Sequence, residues 1–595
     1  MRKISLWVTA AALLMGSTLG VTSTSQADAT ALSGRTSQLT VLSTTDTHGN
    51  ALNWDYFRNA PYSDSQGNEV GLAKAATVID KVRAQRGANS VVVVDNGDTI
   101  QGTPLDYYFA KQEPITSTGE VHPMAAAFNA IGYDASNVGN HEFNYGWDLL
   151  HAYQADLNSP LLAANVVDVK TGQPAFQPYT IVTRKPSPTK RIKIGILGLT
   201  QPGSMVWDKG YLEGKVTITD LVTAAKQWVP RVKAAGADVV VVLSHAGEGS
   251  SVPAGPGVGP ENPSDQIAKQ VPGVDVVVMG HTHRTVPDEH ITNDVTGEDV
   301  LLVQPRQWAS SVNEVTLDLA KVKGKWDVTQ ASGQDMPVAG NAEDPTVTSV
   351  IAPYHSKAVA YVNQVIATSV AELPAAKSRY QDTPIIDYIQ RVQTQTVTQA
   401  LAGGPLADKK VLSIAAPFSR SAVFPKGDVT VRDMAGLYIY DNTLKAVTMT
   451  GDQVKDYLEY SASYFAQVTD GTFDPATDTN APVNGHPQPD YNYDIISGLN
   501  YTIDVSKPVG QRVTITGNSD GTPYDPGATY VVAVNNYRQS GGGGFPHMST
   551  APVVYDEQAE IRQLLIDWAS ARGVIDPADF YVENWYLTVG DVRIA

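Results

Sequence analysis

Between residues 38 and 335 one pattern recurs. A short apolar run rich in β-branched residues is followed at once by a polar cluster, then by a stretch with helical spacing. The runs are Leu39–Leu42, Val91–Val94, Ile192–Leu199, Val239–Leu243 and Val274–Met279. Continuous Val/Ile runs of this length predict strands buried on both faces. Gly71–Ala84, Met124–Ile131 and Leu221–Ala235 predict helices between them. The alternation predicts an α/β domain in layers, with helices flanking β-sheets. From about 340 to 375 the character changes. Pro345 to Leu373 carries apolar residues at helical spacing with no long strand run, which predicts a connecting helix. A mixed α+β unit is expected over 376–595. Its helices are predicted at Ile385–Ala400, from Val431 and at Asp452–Tyr464; its strands at Val411–Ala416, Ala446–Thr450, Tyr501–Asp504 and Tyr530–Val534. Segment 467–492, rich in Asp, Asn, Pro and Gly, predicts a long loop.

The first residues stand outside this pattern. Met1-Arg2-Lys3 precedes an apolar stretch around Leu6 to Leu19 and then Ala27-Asp28-Ala29. A basic start, an apolar middle and an A-x-A site predict a secretory signal peptide over 1–29 and an exported protein, extracellular or periplasmic. The division expected is therefore signal peptide 1–29, catalytic unit 36–340, linker helix 341–375 and second unit 376–595. The 595 residues are 42% hydrophobic and 17% charged, which excludes a largely disordered chain. A net charge of −18 argues against a nucleic-acid polymer as partner and leaves a small phosphate-bearing substrate possible. No cysteine is present, so thiolate chemistry and Cys-ligated zinc are excluded. No membrane attachment is expected after signal cleavage, and a monomer is the default.

Five polar clusters change the picture. They are Asp46-Thr47-His48, Asn96-Gly97-Asp98, Gly139-Asn140-His141-Glu142, Ser244-His245 and Gly280-His281-Thr282-His283. Each follows a strand candidate, and groups at the carboxyl ends of strands in an open α/β sheet converge in one crevice. Of 11 histidines, five lie in these clusters. Mixed nitrogen and oxygen donors without sulfur suit Zn, Mn, Co, Fe or Ni. Asp98 could bridge two divalent ions, and such a pair stabilises both oxygens of an in-line phosphoryl displacement and supplies hydroxide near neutral pH. Each cluster alone is weak, since a lone histidine after a strand is usually a cap or a core group. The ordered set is not.

The order D-x-H, G-D, G-N-H-E, S-H, G-H-x-H resembles the calcineurin-like metallophosphoesterases, and with the second unit the chain resembles the 5′-nucleotidase family. Within that family it is most similar to the bifunctional 2′,3′-cyclic-nucleotide 2′-phosphodiesterase/3′-nucleotidase branch. The resemblance implies one metal held by Asp46, His48, Asp98 and His283, and another by Asp98, Asn140, His245 and His281. It implies that His141 acts beside the scissile phosphate, stabilising the transferred phosphoryl group or protonating the leaving oxygen. In well-known 5′-nucleotidases an Asp three residues later orients that histidine; here the position is Asn144. This variant resembles the cyclic-phosphodiesterase branch. A second departure is Gln304-Pro305-Arg306-Gln307-Trp308, where relatives often carry Gln-Ala-Gly.

In the second unit, Tyr438-Ile439-Tyr440-Asp441-Asn442 and Asn535-Asn536-Tyr537-Arg538, followed by Gly541 to Gly544 and Phe545, resemble the family's nucleotide-binding segments. The resemblance implies that Tyr440 and Phe545 sandwich a base, that Asn442 bonds its edge, and that Arg420 contacts phosphate or sugar. No Gly-Lys-Ser/Thr follows the glycines, so they are not a P-loop. The activity expected is hydrolysis of 2′,3′-cyclic nucleotides and 3′-nucleotides by metal-activated hydroxide. A 5′-nucleotidase or UDP-sugar hydrolase is the nearest alternative. A catalytically dead binding protein is the rival class; it would have lost a ligand, and none is missing.

Overall fold

The computed structural model describes residues 36–249, 258–483, 486–557 and 559–594. The expected signal peptide lies outside the described residues. Among the described residues no helix is long and apolar enough to cross a membrane.

Two six-stranded sheets form the centre of the first unit. One runs Lys325–Pro337, Ser311–Val322, Thr36–Thr44, Val91–Asp95, Ala135–Asn137, Leu161–Leu162 from edge to edge. The other runs Val286–Thr292, Asp299–Gln304, Val276–Met279, Val239–Ser244, Lys190–Leu199, Tyr179–Ser187. Their central strands pair in parallel, so their carboxyl ends share one rim. The apolar runs are explained by this double burial. Val92 and Val94 face the opposite sheet, with Leu39, Val41, Val241 and Val278. Val91 and Val93 face outward into a layer that holds Leu72–Arg86 and Pro123–Ile131. On the far sheet, Val240 and Val242 meet Leu221–Ala234. The result is helix, sheet, sheet, helix.

At the rim the two sheets are tied by amides. Asn96 Nδ2 donates to Ser244 O and Val278 O at 3.0 and 3.1 Å. Asn137 Nδ2 donates to Asn96 Oδ1 at 3.1 Å and to Leu199 O at 2.9 Å. Five strand ends are thereby held in register beneath the loops that carry the polar clusters. Their donating ends are paired across the two sheets, and pairing makes their geometry specific.

The connecting helix is shorter than its apolar spacing suggested. It spans Pro345–Val362, capped by Asp344 onto Thr346 N and Val347 N, and ends at Asn363. The remainder of the expected helix turns into strands Val365–Ser369 and Leu373–Pro374; Val365, Ile366 and Thr368 favour an extended backbone, and the first strand pairs with Gly427–Thr430 through Val365, Ala367, Thr368 and Ser369. The helix packs on Pro123–Ile131 and Leu72–Arg86 of the first unit and on Val431–Leu437 of the second. The second unit is built on a five-stranded sheet, Ile495–Ser497, Val411–Ala415, Thr529–Asn535, Leu444–Thr450, Val553–Tyr555, and a four-stranded one centred on Leu499–Asp504 and Trp585–Val589. Pro384–Leu401 and Ile561–Arg572 pack together beside them.

Candidate active site

The loops after the strands are wound tightly. Asp46, His48, Asp98, His281 and His283 all have positive φ, between 45° and 69°. For non-glycine residues this left-handed backbone costs roughly 1–3 kcal/mol each and persists only where surroundings enforce it. The enforcement is visible. Asp46 N donates to Gly97 O at 2.8 Å, His48 N to Asp98 O at 2.9 Å, and Trp308 N to Asp46 O at 2.7 Å. The Gln304–Trp308 segment, which the sequence left unexplained, thus props the first ligand loop, and Gln304 Oε1 accepts from Thr282 Oγ1 between His281 and His283.

Glu142 is a residue that sequence reasoning did not assign. It is buried, and its carboxylate accepts from Asp98 N at 2.9 Å, Gly139 N at 2.5 Å and Thr99 N at 2.5 Å. It thereby clamps the second ligand loop to the third. A Cβ on Gly139 would come within 2.3 Å of Asp98 Oδ1, so only glycine allows the two loops to approach so closely.

The structure brings all seven expected ligands together. His48 Nε2 and His283 Nε2 lie 3.1 Å apart, with Asp46 Oδ1 3.4 Å from the latter. His245 Nε2 is 3.0 Å from Asp98 Oδ2 and 3.9 Å from Asp46 Oδ1. His281 Nδ1 is 2.9 Å from Asn140 Oδ1. Three overlapping sets can hold a metal ion: Asp46, His48 and His283; Asp98, His245 and His281; and His48, Asp98 and His141. The outer nitrogens are engaged elsewhere. His48 Nδ1 donates to Gln101 O and His245 Nδ1 to Asn96 O, both at 2.7 Å, and Glu261 Oε1 accepts from His281 Nε2 at 3.0 Å. Such outer partners fix the tautomer and aim the remaining lone pair inward. His245 Nε2 is buried without a well-directed hydrogen bond, as a ligand awaiting a cation would be. The donor set fits divalent metals.

Charge balance supports the same fit. Burial opposes ionisation of Asp46, yet its hydrogen bond to His283 and the charges of His245 and His283 hold its carboxyl down to about 2. His245 is opposed by burial, but the carboxylates of Asp98, Asp46 and Glu142 lift it to about 10. His48 is lowered to about 4, chiefly by burial. Two ionised carboxylates in a buried pocket demand positive charge, which a cation supplies better than a proton.

His141 stands beside this cluster. Its ring centre is 5.1 Å from that of His48, and its backbone N donates to Asp98 Oδ1 at 2.7 Å. Its Nδ1 lies 2.6 Å from Asn144 Oδ1, and Asn144 Nδ2 donates to Asp208 Oδ1 at 2.8 Å. The neighbouring Trp207 ring stacks on His281 at 5.5 Å. Neither Trp207 nor Asp208 was singled out from the sequence.

The second unit reaches this cluster. Asp441 accepts from Gln101 Nε2 at 2.8 Å and Tyr145 OH at 2.7 Å, both in the first unit, and pairs with Arg562 at 2.6 Å. Tyr440 is half-buried against Phe418 and Tyr491. Phe545 is not where a base could stack. It is 4% exposed, with the Arg538 guanidinium 4.0 Å over its ring and Tyr457 at 4.5 Å. Arg538 is itself buried and held by Asp494, Gly542 O and Tyr491 O, so its guanidinium stays over the Phe545 ring. Tyr537 is the half-buried aromatic on the same segment. It lies near Tyr440 and Tyr491, and its helix packs on Ser204–Trp207. Gly542 lies against its ring, where a Cβ would come within 2.5 Å. Asn442 Nδ2 reaches Tyr438 OH at 3.4 Å. Arg420, 55% exposed, is held by Asp490 through both Nε and Nη2.

Comparison with known proteins places these features together. Residues 39–285 match the calcineurin-like phosphoesterase family and residues 360–550 the 5′-nucleotidase C-terminal domain. The chain is 35% identical to the 2′,3′-cyclic-nucleotide 2′-phosphodiesterase/3′-nucleotidase of Yersinia enterocolitica, over 93% of this chain and 88% of that protein. Against the protein of the same description in Salmonella typhimurium it is 34% identical, covering 94% and 90%. It is 32% identical to the Bacillus subtilis trifunctional nucleotide phosphoesterase YfkN over 92% of its own residues, and spans 39% of that longer protein. Among solved structures, a 5′-nucleotidase precursor from Thermus thermophilus superposes with a TM-score of 0.61 at 23% identity, covering 93% of this chain and 99% of that one, which shows a shared fold.

Proposed function

The chain belongs to the calcineurin-like phosphoesterase family, in the branch that also carries a 5′-nucleotidase C-terminal domain, and from this we propose that it hydrolyses 2′,3′-cyclic nucleotides and 3′-nucleotides to nucleoside and phosphate at a site for two divalent cations. The observation that carries the reading is the convergence of Asp46, His48, Asp98, Asn140, His245, His281 and His283 in one cluster, with Asp98 beside both His48 and His245. What divalent cations supply when bound is polarisation of the phosphoryl oxygens and a water acidic enough to react near neutral pH. The chain does the rest. Asp98 bridges the two halves of the cluster. His141 faces the ester and donates a proton to the leaving oxygen or a hydrogen bond to the transferred phosphoryl group. Tyr440 and Tyr537 hold the base between flat faces, Asn442 reads its edge, and Arg420 exchanges Asp490 for the substrate.

The protein is exported, in keeping with the basic and apolar residues that open the chain. Its second unit moves on the helix Pro345–Val362 to admit substrate and release product. The test is kinetic. After chelation and return of Mn or Co, 2′,3′-cAMP, 3′-AMP, 5′-AMP and UDP-glucose are compared by kcat/KM. The first two are expected to lead. A preference for 5′-AMP overturns the substrate assignment, and inertness toward every ester with metal supplied overturns the reading as a whole.

A further inference from the structure

Asp208 has no evident duty in the fold. It lies between the short helices Ser204–Trp207 and Lys209–Leu212, and its backbone performs the turn: N donates to Ser204 O at 2.8 Å, and O accepts from Tyr211 N and Leu212 N at 2.9 and 3.1 Å. The side chain caps neither helix. It is 5% exposed and turned instead to Asn144 Nδ2. A carboxyl buried against a single neutral amide costs stability, and a packing role would be served as well by an apolar residue. Burial pushes this carboxyl up to about 7, against the pull of Asn144 and the charge of His141.

The amide between them is the informative part. A primary amide has one accepting and one donating end. With Asp208 accepting at 2.8 Å, Asn144 must present Nδ2 to it and Oδ1 to His141 Nδ1 at 2.6 Å. An oxygen there accepts from Nδ1–H and points Nε2 at the ester, and it suits the ring that carries a proton on both nitrogens, the form that can donate from Nε2. A reversed amide would set its own N–H against Nδ1, so that Nδ1 could hold no proton and the doubly protonated ring would be opposed.

We propose that Asp208 is a positioning residue for His141 that acts through Asn144, fixing the direction of the amide so that it accepts from Nδ1–H and holds the angle of the imidazole. His141, Asn144 and Asp208 form a chain in which the carboxylate stands one amide away from the ring. Ionised, Asp208 also polarises that amide toward the imidazole. The inference rests on the role given to His141 above.

The experiment is a swap. Asp208→Asn keeps an acceptor but removes the charge. Asp208→Ala removes both. Asn144→Asp combined with Asp208→Asn restores every hydrogen bond with the carboxylate moved next to the ring. Expected is a fall in kcat on 3′-AMP of about 10-fold for D208N and about 100-fold for D208A, with KM within about twofold, and recovery by the swap to within about threefold of native. A structural defect would not be repaired by exchanging two residues. Histidine-selective 15N spectra of the metal-free protein give a readout independent of turnover: the His141 Nδ1–H signal is expected in the native protein and the swap and absent in D208A. Unchanged kcat in both single variants, a swap no better than D208N, or a His141 Nδ1–H signal retained in D208A overturns the proposal. Loss of activity in His141→Ala beside unchanged Asp208 variants would sink this inference alone, leaving the proposed function standing.

Discussion

Asp98 touches both halves of the ligand cluster, accepts from His141 N and lies against Gly139. Asp98→Asn keeps the shape and removes the charge that the cations and histidines share. His141→Ala removes the group proposed to face the ester. Both are expected to lower kcat by on the order of 10²–10⁴-fold with an unchanged circular dichroism spectrum, Asp98→Asn also losing bound metal; near-normal turnover in either variant would refute its role. A separate residue sets a pH dependence of stability. Asp387 is buried on Pro384–Leu401, and burial first, then the Asp382 charge, raises its carboxyl to about 8 despite the Val582 N–H it accepts. The unfolded chain releases that proton near pH ~4. Its stabilising contribution is therefore full below that range and lost as pH rises toward 8. Asp387→Asn carries no such proton, so its Tm relative to native is expected to climb steadily from pH 5 to 8; a constant difference across that range would contradict the assignment.

The strands and the loops that follow them were the most legible elements. Buried parallel strands announce themselves as unbroken Val runs because alternate residues enter different cores, as Val91–Asp95 does. Polar residues directly after such runs stand out, so the seven residues that the fold brings together could be named. What could not be read is local conformation and remote support. Nothing in Asp46 or His281 signals a left-handed backbone, which the loop hydrogen bonds impose. Asp208 lies far along the chain from His141, in a turn without periodicity. Phe545 and Tyr537 are both aromatics beside a glycine run; which one is buried depends on Arg538, whose partners come from residues 491–494. Glu142 was in plain view within Gly139-Asn140-His141-Glu142, but its three backbone partners belong to folded loops. Glu142→Gln must turn its amide nitrogen toward at least one of those N–H donors. The expected cost is about 1–3 kcal/mol in unfolding free energy and about 10–100-fold in metal affinity, read by denaturant titration and by competition with a chelating dye. Native affinity in a folded variant would show the clamp to be dispensable.

The two units share one apolar core and are joined by more than the connecting helix. Gln112 Nε2 donates to Gln563 Oε1 at 3.2 Å across the boundary. Because the chain has no cysteine, Gln112→Cys with Gln563→Cys offers a clean pair for a short bis-maleimide. If substrate entry needs the second unit to move, the cross-linked protein is expected to lose turnover while the uncoupled double variant keeps it; full turnover in a verified cross-linked sample would remove domain motion from the cycle.

Asp441, beside the Tyr440 proposed to hold the base, grips the side chain of Gln101, and the carbonyl of that same glutamine orients His48. One residue therefore links the proposed nucleoside pocket on one side to the proposed cation site on the other. Thermodynamic reciprocity then obliges the two occupants to feel each other equally: whatever factor adenosine adds to Mn affinity, Mn must add to adenosine affinity. Paired calorimetric titrations in either order would reveal that common factor, and Gln101→Ala should return it to one.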